Sequence, residues 1–286
     1  MLGRVIYGDQ RLFINGMEMS GVQSNSSSLD TNYVPIFVAG TGVYSQEPSG
    51  PTEYPFSFER VVFETDPLTG VLFSGLSGHF AYATGNSTGY QTFGFENGLI
   101  TSYSISCAVG DLAKSSVDIA ARGNMGSFND GIDIATGAEY NSPFIGKPGD
   151  LHISGYSDGE TNRVQSIEYT LTIPYTSNDK IGTAFGPDSR RLTGPITIST
   201  KFSIEVQDFR QEDLFSLICD TAEKNLYFYF TDCDNTTVRA FNAPRSKLKS
   251  SSYNADVGTN LSFDITYQGY VNSTGEAIAC LNGNGI

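Results

Sequence analysis

Tryptophan is missing from this 286-residue chain, and charge is sparse, with only 17% of residues Asp, Glu, Lys or Arg. Basic residues are the scarcer sign, 17 against 31 acidic, for a net charge of −14. Up to residue 145 there are 5 basic and 14 acidic residues, a net of −9; beyond it there are 12 and 17, a net of −5. Neither half therefore offers the basic field that tight nucleic-acid binding requires. The two basic clusters, Arg190-Arg191 and Arg245 to Lys249, are short and read as solvated loop charges. No stretch approaches the roughly 18 consecutive apolar residues of a membrane span. The opening MLGRVIYGDQ has no apolar core followed by a small-residue cleavage site. Four cysteines (Cys107, Cys219, Cys233 and Cys280) show no CxxC spacing. Reduced thiols in a cytosolic setting fit this pattern better than a disulfide framework.

The usual carriers of catalysis are also scarce. The only histidines are His79 and His152, and nothing in their surroundings brings them together. There is no GxSxG elbow to present a nucleophilic serine. Gly40-Thr41-Gly42 lacks both the lysine of a phosphate loop and the rest of a dinucleotide fingerprint. Carboxylates cluster at Asp130/Asp133, Asp158/Glu160 and Asp232/Asp234, but Asp232-Cys233-Asp234-Asn235 supplies only the start of a calcium loop. The Asn-x-Ser/Thr triplets at Asn25, Asn86, Asn235, Asn260 and Asn272 follow from a composition rich in Asn, Ser and Thr. Phe56, Phe58, Phe202, Tyr253 and Phe263 fall in the buried phase of strands, which makes them core rather than a sugar-binding platform. The chain is therefore expected to be no enzyme and to hold neither cofactor nor metal.

What is abundant is strand and turn chemistry: 31 Gly, 16 Tyr and 19 Phe, with 39% hydrophobic residues, enough for a globular core. The clearest stretch, Ile100 to Ile119, occurs twice. In ITSYSISCAVGDLAKSSVDI, Tyr103, Ile105, Cys107 and Val109 alternate with Ser102, Ser104, Ser106 and Ala108. That is the period-two pattern of a half-buried strand, and it stops at Val109-Gly110. In LKSSSYNADVGTNLSFDI, Tyr253, Ala255 and Val257 alternate with Ser252, Asn254 and Asp256, and the run stops at Val257-Gly258. Each then resumes with Ser-(Val or Phe)-Asp-Ile, so each reads as a β-hairpin. Further landmarks recur in the same order. Val22-Gln23-Ser24 returns as Val164-Gln165-Ser166, Gly50-Pro51 as Gly194-Pro195, and Phe56-Ser57-Phe58-Glu59 as Phe202-Ser203-Ile204-Glu205. All offsets lie within 142–148 residues. Five ordered matches at one spacing imply an internal duplication.

Along the chain, Arg11 to Ile14 reads as a strand closing at the Asn15-Gly16 turn. Tyr33 to Tyr54 and Pro174 to Pro195 read as long Gly/Pro loops, the first with an apolar centre at Ile36 to Val38 that implies contact with another chain. Asp66 to Ser77 starts like a short helix, and Gln211 to Lys224 has helical spacing at Leu214, Phe215, Leu217 and Ile218. Leu226 to Phe230 reads as a strand covered on both faces. Residues 123–149 read as a Gly-rich linker, and the tail after Tyr270 as frayed. The expected organisation is mainly β: a first unit over residues 1–145 and a second over 146–286, each with one short helix on its sheet.

This order of elements resembles the tail tube (major tail) proteins of tailed bacteriophages, in the form where two tube domains are fused. The likeness rests on the polar strands at Val22 and Val164, the long loops, the Phe-Ser-x-Glu strands, the short helices and the closing Val-Gly hairpins, over residues 12 to 269. It implies two tandem β-sandwich or half-barrel domains, and three copies closing a pseudo-sixfold ring. Stacked rings would form a virion tail, assembled in the host cytoplasm, that passes phage DNA without specific binding and meets other tail proteins at its ends. It also implies inter-ring contacts by the two loops, through Ile36, Phe37, Val38, Tyr44, Ile181, Phe185, Arg190 and Arg191. A head-decoration or tail-adaptor subunit, or a carbohydrate-binding β-sandwich module, are the alternatives.

Overall fold

The computed structural model describes residues 5–28, 33–40, 42–48, 53–63, 66–84, 90–126, 151–154, 164–178, 189–205, 223–231, 237–254 and 262–282. Strand β1 (Val5–Ile14) reaches the turn at Asn15 and Gly16, whose φ values of 48° and 77° suit a two-residue hairpin, and returns as β2 (Met17–Glu18). Next come β3 (Val22–Ser27), the pair β4 (Tyr33–Val38) and β5 (Gly42–Pro48), and β6 (Glu53–Val61). A 3-10 turn (Pro67–Gly70), capped by Asp66, leads to β7 (Leu76–Thr84), β8 (Tyr90–Ala108) and β9 (Lys114–Gly126). The second half holds β10 (Leu151–Ser154), β11 (Val164–Thr172), the pair β12 (Tyr175–Asn178) and β13 (Ser189–Leu192), and β14 (Ile196–Glu205). Strands β15 (Lys224–Thr231), β16 (Thr237–Asn254) and β17 (Ser262–Val271) follow, and helix α1 (Thr274–Leu281) ends the described chain.

The two halves trace the same path. Hydrogen-bonded order is β3-β6-β9-β8-β7-β1 in the first and β11-β14-β17-β16-β15-β10 in the second, antiparallel throughout. The repeated sequence landmarks fall on repeated geometry. Val22-Gln23-Ser24 and Val164-Gln165-Ser166 each form a β-bulge against the next strand of their half. Asp118 is flanked across the sheet by Ser57 and Ser102, and Asp264 by Ser203 and Ser252. Each half also curls so that its Phe-Ser strand packs on the far strands. Phe56 lies 4.8 Å from Phe80, and Phe202 lies 5.6 Å from Phe228, between ring centroids.

The halves are not separate bodies. The C-terminal part of β8, Ser102 to Ala108, pairs directly with Thr172 to Ser166 of β11, which fuses the strands into one 13-stranded sheet. One apolar cluster runs from Leu12 through Tyr103 and Tyr169 to Leu281. A buried charge network crosses the same seam. Asp66, whose side chain is fully buried, forms an ion pair with Arg60 of β6 and accepts hydrogen bonds from the Tyr103 hydroxyl and from the Leu68 amide, the latter at 2.9 Å. From the other half, Arg239 of β16 approaches Asp66 at 3.8 Å and donates to the Phe63 carbonyl at 2.9 Å. Burial alone would raise the Asp66 pKa. The two guanidinium groups and the two hydrogen bonds outweigh it and hold the carboxyl below its usual range.

Several expectations need correction. Within the stretches 33–54 and 174–195, expected as loops, the described residues form the antiparallel strand pairs β4–β5 and β12–β13, which fall at the same place in each half, and Glu53 and Tyr54 begin β6. Asp66 to Ser77 yields only the single 3-10 turn, because Gly70 and Gly75 interrupt it. Strand β15 is not covered on both faces: Leu226, Phe228 and Phe230 are buried, while Tyr227 between them is half-buried. The tail does not fray between Tyr270 and Asn282, and residues 283–286 lie outside the described residues. Ser273 caps α1 by accepting from the Glu276 amide at 3.2 Å, Glu276 pairs with Arg245, and Ala277, Cys280 and Leu281 are buried. Gly123 to Gly126 belong to β9 rather than to a linker. The helix expected over Gln211 to Lys224 lies outside the described residues up to position 222, and Lys224 begins β15. The 145/146 boundary lies outside the described residues too. Removing the cap with Ser273→Ala should cost about 1 kcal/mol, read as a lower urea midpoint with an unchanged slope.

Candidate functional surface

Alternation along β6, β9, β8, β11, β14 and β17 sends apolar side chains inward and leaves one broad polar face. Its strands present Ser57 and Glu59, Ser116 and Asp118, Ser102, Ser104 and Ser106, Glu168, Thr170 and Thr172, Thr197, Ser199, Lys201 and Ser203, then Asp264, Thr266 and Gln268. Short hydroxyl side chains dominate, so the face is low and uniformly wettable. The lysines on it are matched by carboxylates: Lys114 reaches Glu59 at 3.0 Å, and Lys201 reaches Asp264 at 4.0 Å. These pairs are largely exposed and stabilise little. They do leave the face mildly acidic.

Two of the open sheet edges among the described residues correspond to the two sides of the β8–β11 joint. Strand β3 pairs only with β6, and from Gln23 to Ser27 its side chains are polar and exposed. The last part of β16, Lys247 to Asn254, pairs with β17 on one side. On its other side no described strand lies, whereas the matching part of β8 carries β11. An open edge offers unpaired N–H and C=O groups to any incoming strand.

The two ends of the sheet differ. Strand β6 starts at Glu53, opposite Arg122, and finishes at Val61, opposite Lys114. The β4–β5 and β12–β13 hairpins therefore rise from one end, and the β8–β9 turn lies at the other. Exposed apolar residues gather at both ends: Ile36, Phe37 (69% exposed) and Val38 on the first hairpin, Val109 and Leu112 on the turn. Beside that turn is a cleft of about 300 Å³ lined by Cys107, Ala108, Leu112, Ile167, Lys114 and Lys201, among others.

Of the residues expected to make inter-ring contacts, Ile36, Phe37 and Val38 are exposed on β4, and Tyr44 is on β5. Ile181 and Phe185 lie outside the described residues. Arg191 is exposed on β13, while Arg190 is half-buried and donates to the Ala120 carbonyl at 3.1 Å. Burial and the nearby Arg122 guanidinium lower the Arg190 pKa. His79 is buried and stacked on Phe13, with ring centroids 5.0 Å apart, as a core group. Cys107 and Cys280 are free and buried, and burial pushes the Cys280 thiol up to about 12. Cys219, Cys233 and the three carboxylate clusters lie outside the described residues. Among the described residues no His/Cys/Asp/Glu group could hold a metal, and no helix is long and apolar enough to cross a membrane.

Sequence reasoning missed the Arg60–Asp66–Arg239 network. The signal was available: Arg60 continues the inward phase of Tyr54, Phe56 and Phe58, and an arginine in a buried phase needs a buried partner. In comparisons with known proteins, the chain matches no protein-family model and no curated protein.

Proposed function

We propose that this protein is a self-assembling structural subunit of the tail-tube kind, joining copies side by side through β3 and β16 around a channel lined by the hydroxyl-rich face. One observation carries the reading: the chain makes this joint once within itself, between β8 and β11, and leaves the two corresponding edges open. Joining β16 of one copy to β3 of the next repeats the internal joint. Such a head-to-tail contact closes into a ring when its rotation divides a full turn. Three two-unit copies then make a pseudo-sixfold ring, and a hydroxyl-rich, mildly acidic lining lets DNA pass without adhering. No catalytic step, cofactor or metal enters this reading. The virion tail is the setting that the element order and this assembly together support.

The duplication supplies the register for a test. Ser102 and Ser252 hold the same place beside their aspartates, so Ser104 corresponds to Asn254. Ser26 and Ser166 hold the same place, opposite Ser57 and Ser203 of the repeated Phe-Ser strands, so counting along the sequence Thr170 corresponds to Asp30. Within the chain Thr170 lies opposite Ser104. The Val109 amide donates to the Gln165 carbonyl and the Ile173 amide to the Thr101 carbonyl, both at 2.8 Å. This makes 104/170 a non-hydrogen-bonded pair, the kind with the closer side chains. The double variant D30C/N254C, oxidised mildly, is expected to give disulfide-linked species ending at a closed trimer, and electron microscopy to show rings or tubes with an open centre. A folded variant that stays monomeric on a non-reducing gel and in the micrographs overturns the reading.

A further inference from the structure

The two halves place an aspartate in the same setting twice, and among the described residues only one of the two has a cation beside it. Asp118 lies opposite Ser57 and Asp264 opposite Ser203 on equivalent strand pairs, so Pro55 holds the place of Lys201, and Ala120 that of Thr266. In the second half the Lys201 ammonium approaches the Asp264 carboxylate at 4.0 Å. In the first half Pro55 supplies no cation, and a cleft of about 340 Å³ opens there, with Asp118 and Glu53 as its charged lining residues. We infer that this cleft binds a linear polyamine, with one terminal ammonium on Asp118, in the place that Lys201 takes beside Asp264, and the other end at Glu53.

The order of groups along the strands supports this ligand class. Asp118 lies opposite Ser57, Ala120 opposite Pro55 and Arg122 opposite Glu53, so an apolar pair separates the two carboxylates. Four ladder positions, about 13 Å at the usual strand rise, lie between the two ends. A methylene chain with an ammonium at each end matches acid, apolar surface and acid in turn; a compact cation does not. Ser57 and Thr101 add hydroxyl acceptors to the cleft wall. Oε2 of Glu53 accepts from Arg122 at 2.9 Å, and the side chain is 48% exposed, which leaves Oε1 for a second donor. Arg190 donates to the Ala120 carbonyl at 3.1 Å without lining the cleft. Partial burial raises the Asp118 pKa, and an ammonium beside the carboxylate offsets that cost. Lys201 is the independent sign of what this position takes, because the equivalent carboxylate in the same register already faces an alkylammonium. The cleft opens on the hydroxyl-rich face and stands whether or not copies join side by side.

Equilibrium dialysis of the full chain against radiolabelled spermidine, at constant ionic strength and neutral pH, tests the site. One saturable site per chain is expected. Asp118→Asn should weaken it about tenfold, the loss of a charge-assisted hydrogen bond. Asp264→Asn removes the same charge from the equivalent place in the second half and should bind like the parent. Pro55→Lys supplies the second half's own ammonium and should weaken binding by a similar factor. Asp118 and Pro55 are both exposed, so these variants keep the fold, and a far-UV CD spectrum like the parent's checks it. n-Butylammonium, the equivalent of a single lysine side chain, reaches one carboxylate and should bind at least tenfold more weakly than spermidine. Absence of a saturable site in the parent, equal affinity of Asp118→Asn and Asp264→Asn, or undiminished binding by Pro55→Lys overturns the site. n-Butylammonium as tight as spermidine overturns the two-ended polyamine assignment.

Discussion

Replacing Asp66 by alanine should cost about 3–5 kcal/mol, a third or more of the stability of an ordinary domain. The reason is the imbalance it leaves. Asp66 is the one carboxylate that faces both Arg60 and Arg239 in this network, and its removal strands two guanidinium groups that are 2% and 6% exposed. The Tyr103 hydroxyl loses its acceptor at the same time. Arg239→Met should cost less, because Asp66 and Arg60 remain matched one to one and the lost hydrogen bond to Phe63 is partly offset by apolar packing. Urea midpoints for the two variants check the order; equal midpoints, or an Asp66→Ala midpoint like that of the parent, would show that the network is not a buried, mutually dependent unit. The same group sets an acid limit. Its folded-state pKa is depressed, so the stabilisation is complete above the unfolded value near 4 and is lost as pH falls through that value toward the folded one. Unfolding on acidification should therefore set in below about pH 4 in the parent and be much weaker in pH dependence in Asp66→Ala.

The second large effect is expected at Gly94, where β7 and β8 approach more closely than a side chain permits. A Cβ there would stand 2.2 Å from the Gly78 carbonyl oxygen and 2.5 Å from the His79 Cβ. The first obstacle is backbone, so no rotamer change relieves it, and the β7–β8 ladder has to part. Gly94→Val should cost about 3 kcal/mol, at the upper end of ordinary overpacking. Gly75→Ala, where nothing lies within 4 Å of the added carbon, is the control and should be near neutral. Thermal unfolding of the two variants side by side separates them, and equal melting temperatures would remove the close approach as an explanation for this glycine.

Periodicity made the strands legible, and spacing pointed to two halves whose strands share one pairing order. Tyr103, Ile105 and Cys107 are inward and Ser102, Ser104 and Ser106 outward, as the alternation required, whereas Val109, expected on the same buried face, is exposed because the strand has already entered the turn. The repeated Val-Gln-Ser turned out to mark a bulge, a backbone event with no strong side-chain signature of its own. The strand pairs β4–β5 and β12–β13 look like loops in the sequence because the Gly and Pro content of these stretches hides the pairing. In the first, Pro35 lies in a two-stranded sheet, where each strand has a free side that tolerates the missing N–H. Helix α1 was missed because Gly275 and the Gly/Asn tail weakened its helical pattern, while its support comes from Arg245, thirty-one positions earlier. The open edges were illegible in principle. Nothing local distinguishes a strand that has a neighbour from one that lacks it, and only the pairing of β8 with β11 exposes the vacancy beside β3.

That internal pairing has a kinetic corollary. In the proposed ring, each polypeptide would arrive with one of every two strand junctions already closed, its geometry fixed by a shared core and a buried ion cluster rather than by encounter in solution. A sixfold arrangement built this way is a third-order problem instead of a sixth-order one, so its onset should be far less steep in protein concentration. Strand β3 is serine-rich, with exposed polar side chains from Gln23 to Ser27, where β11 carries Ile167, Tyr169 and Leu171, and so polar an edge should pair less readily with a wrong neighbour.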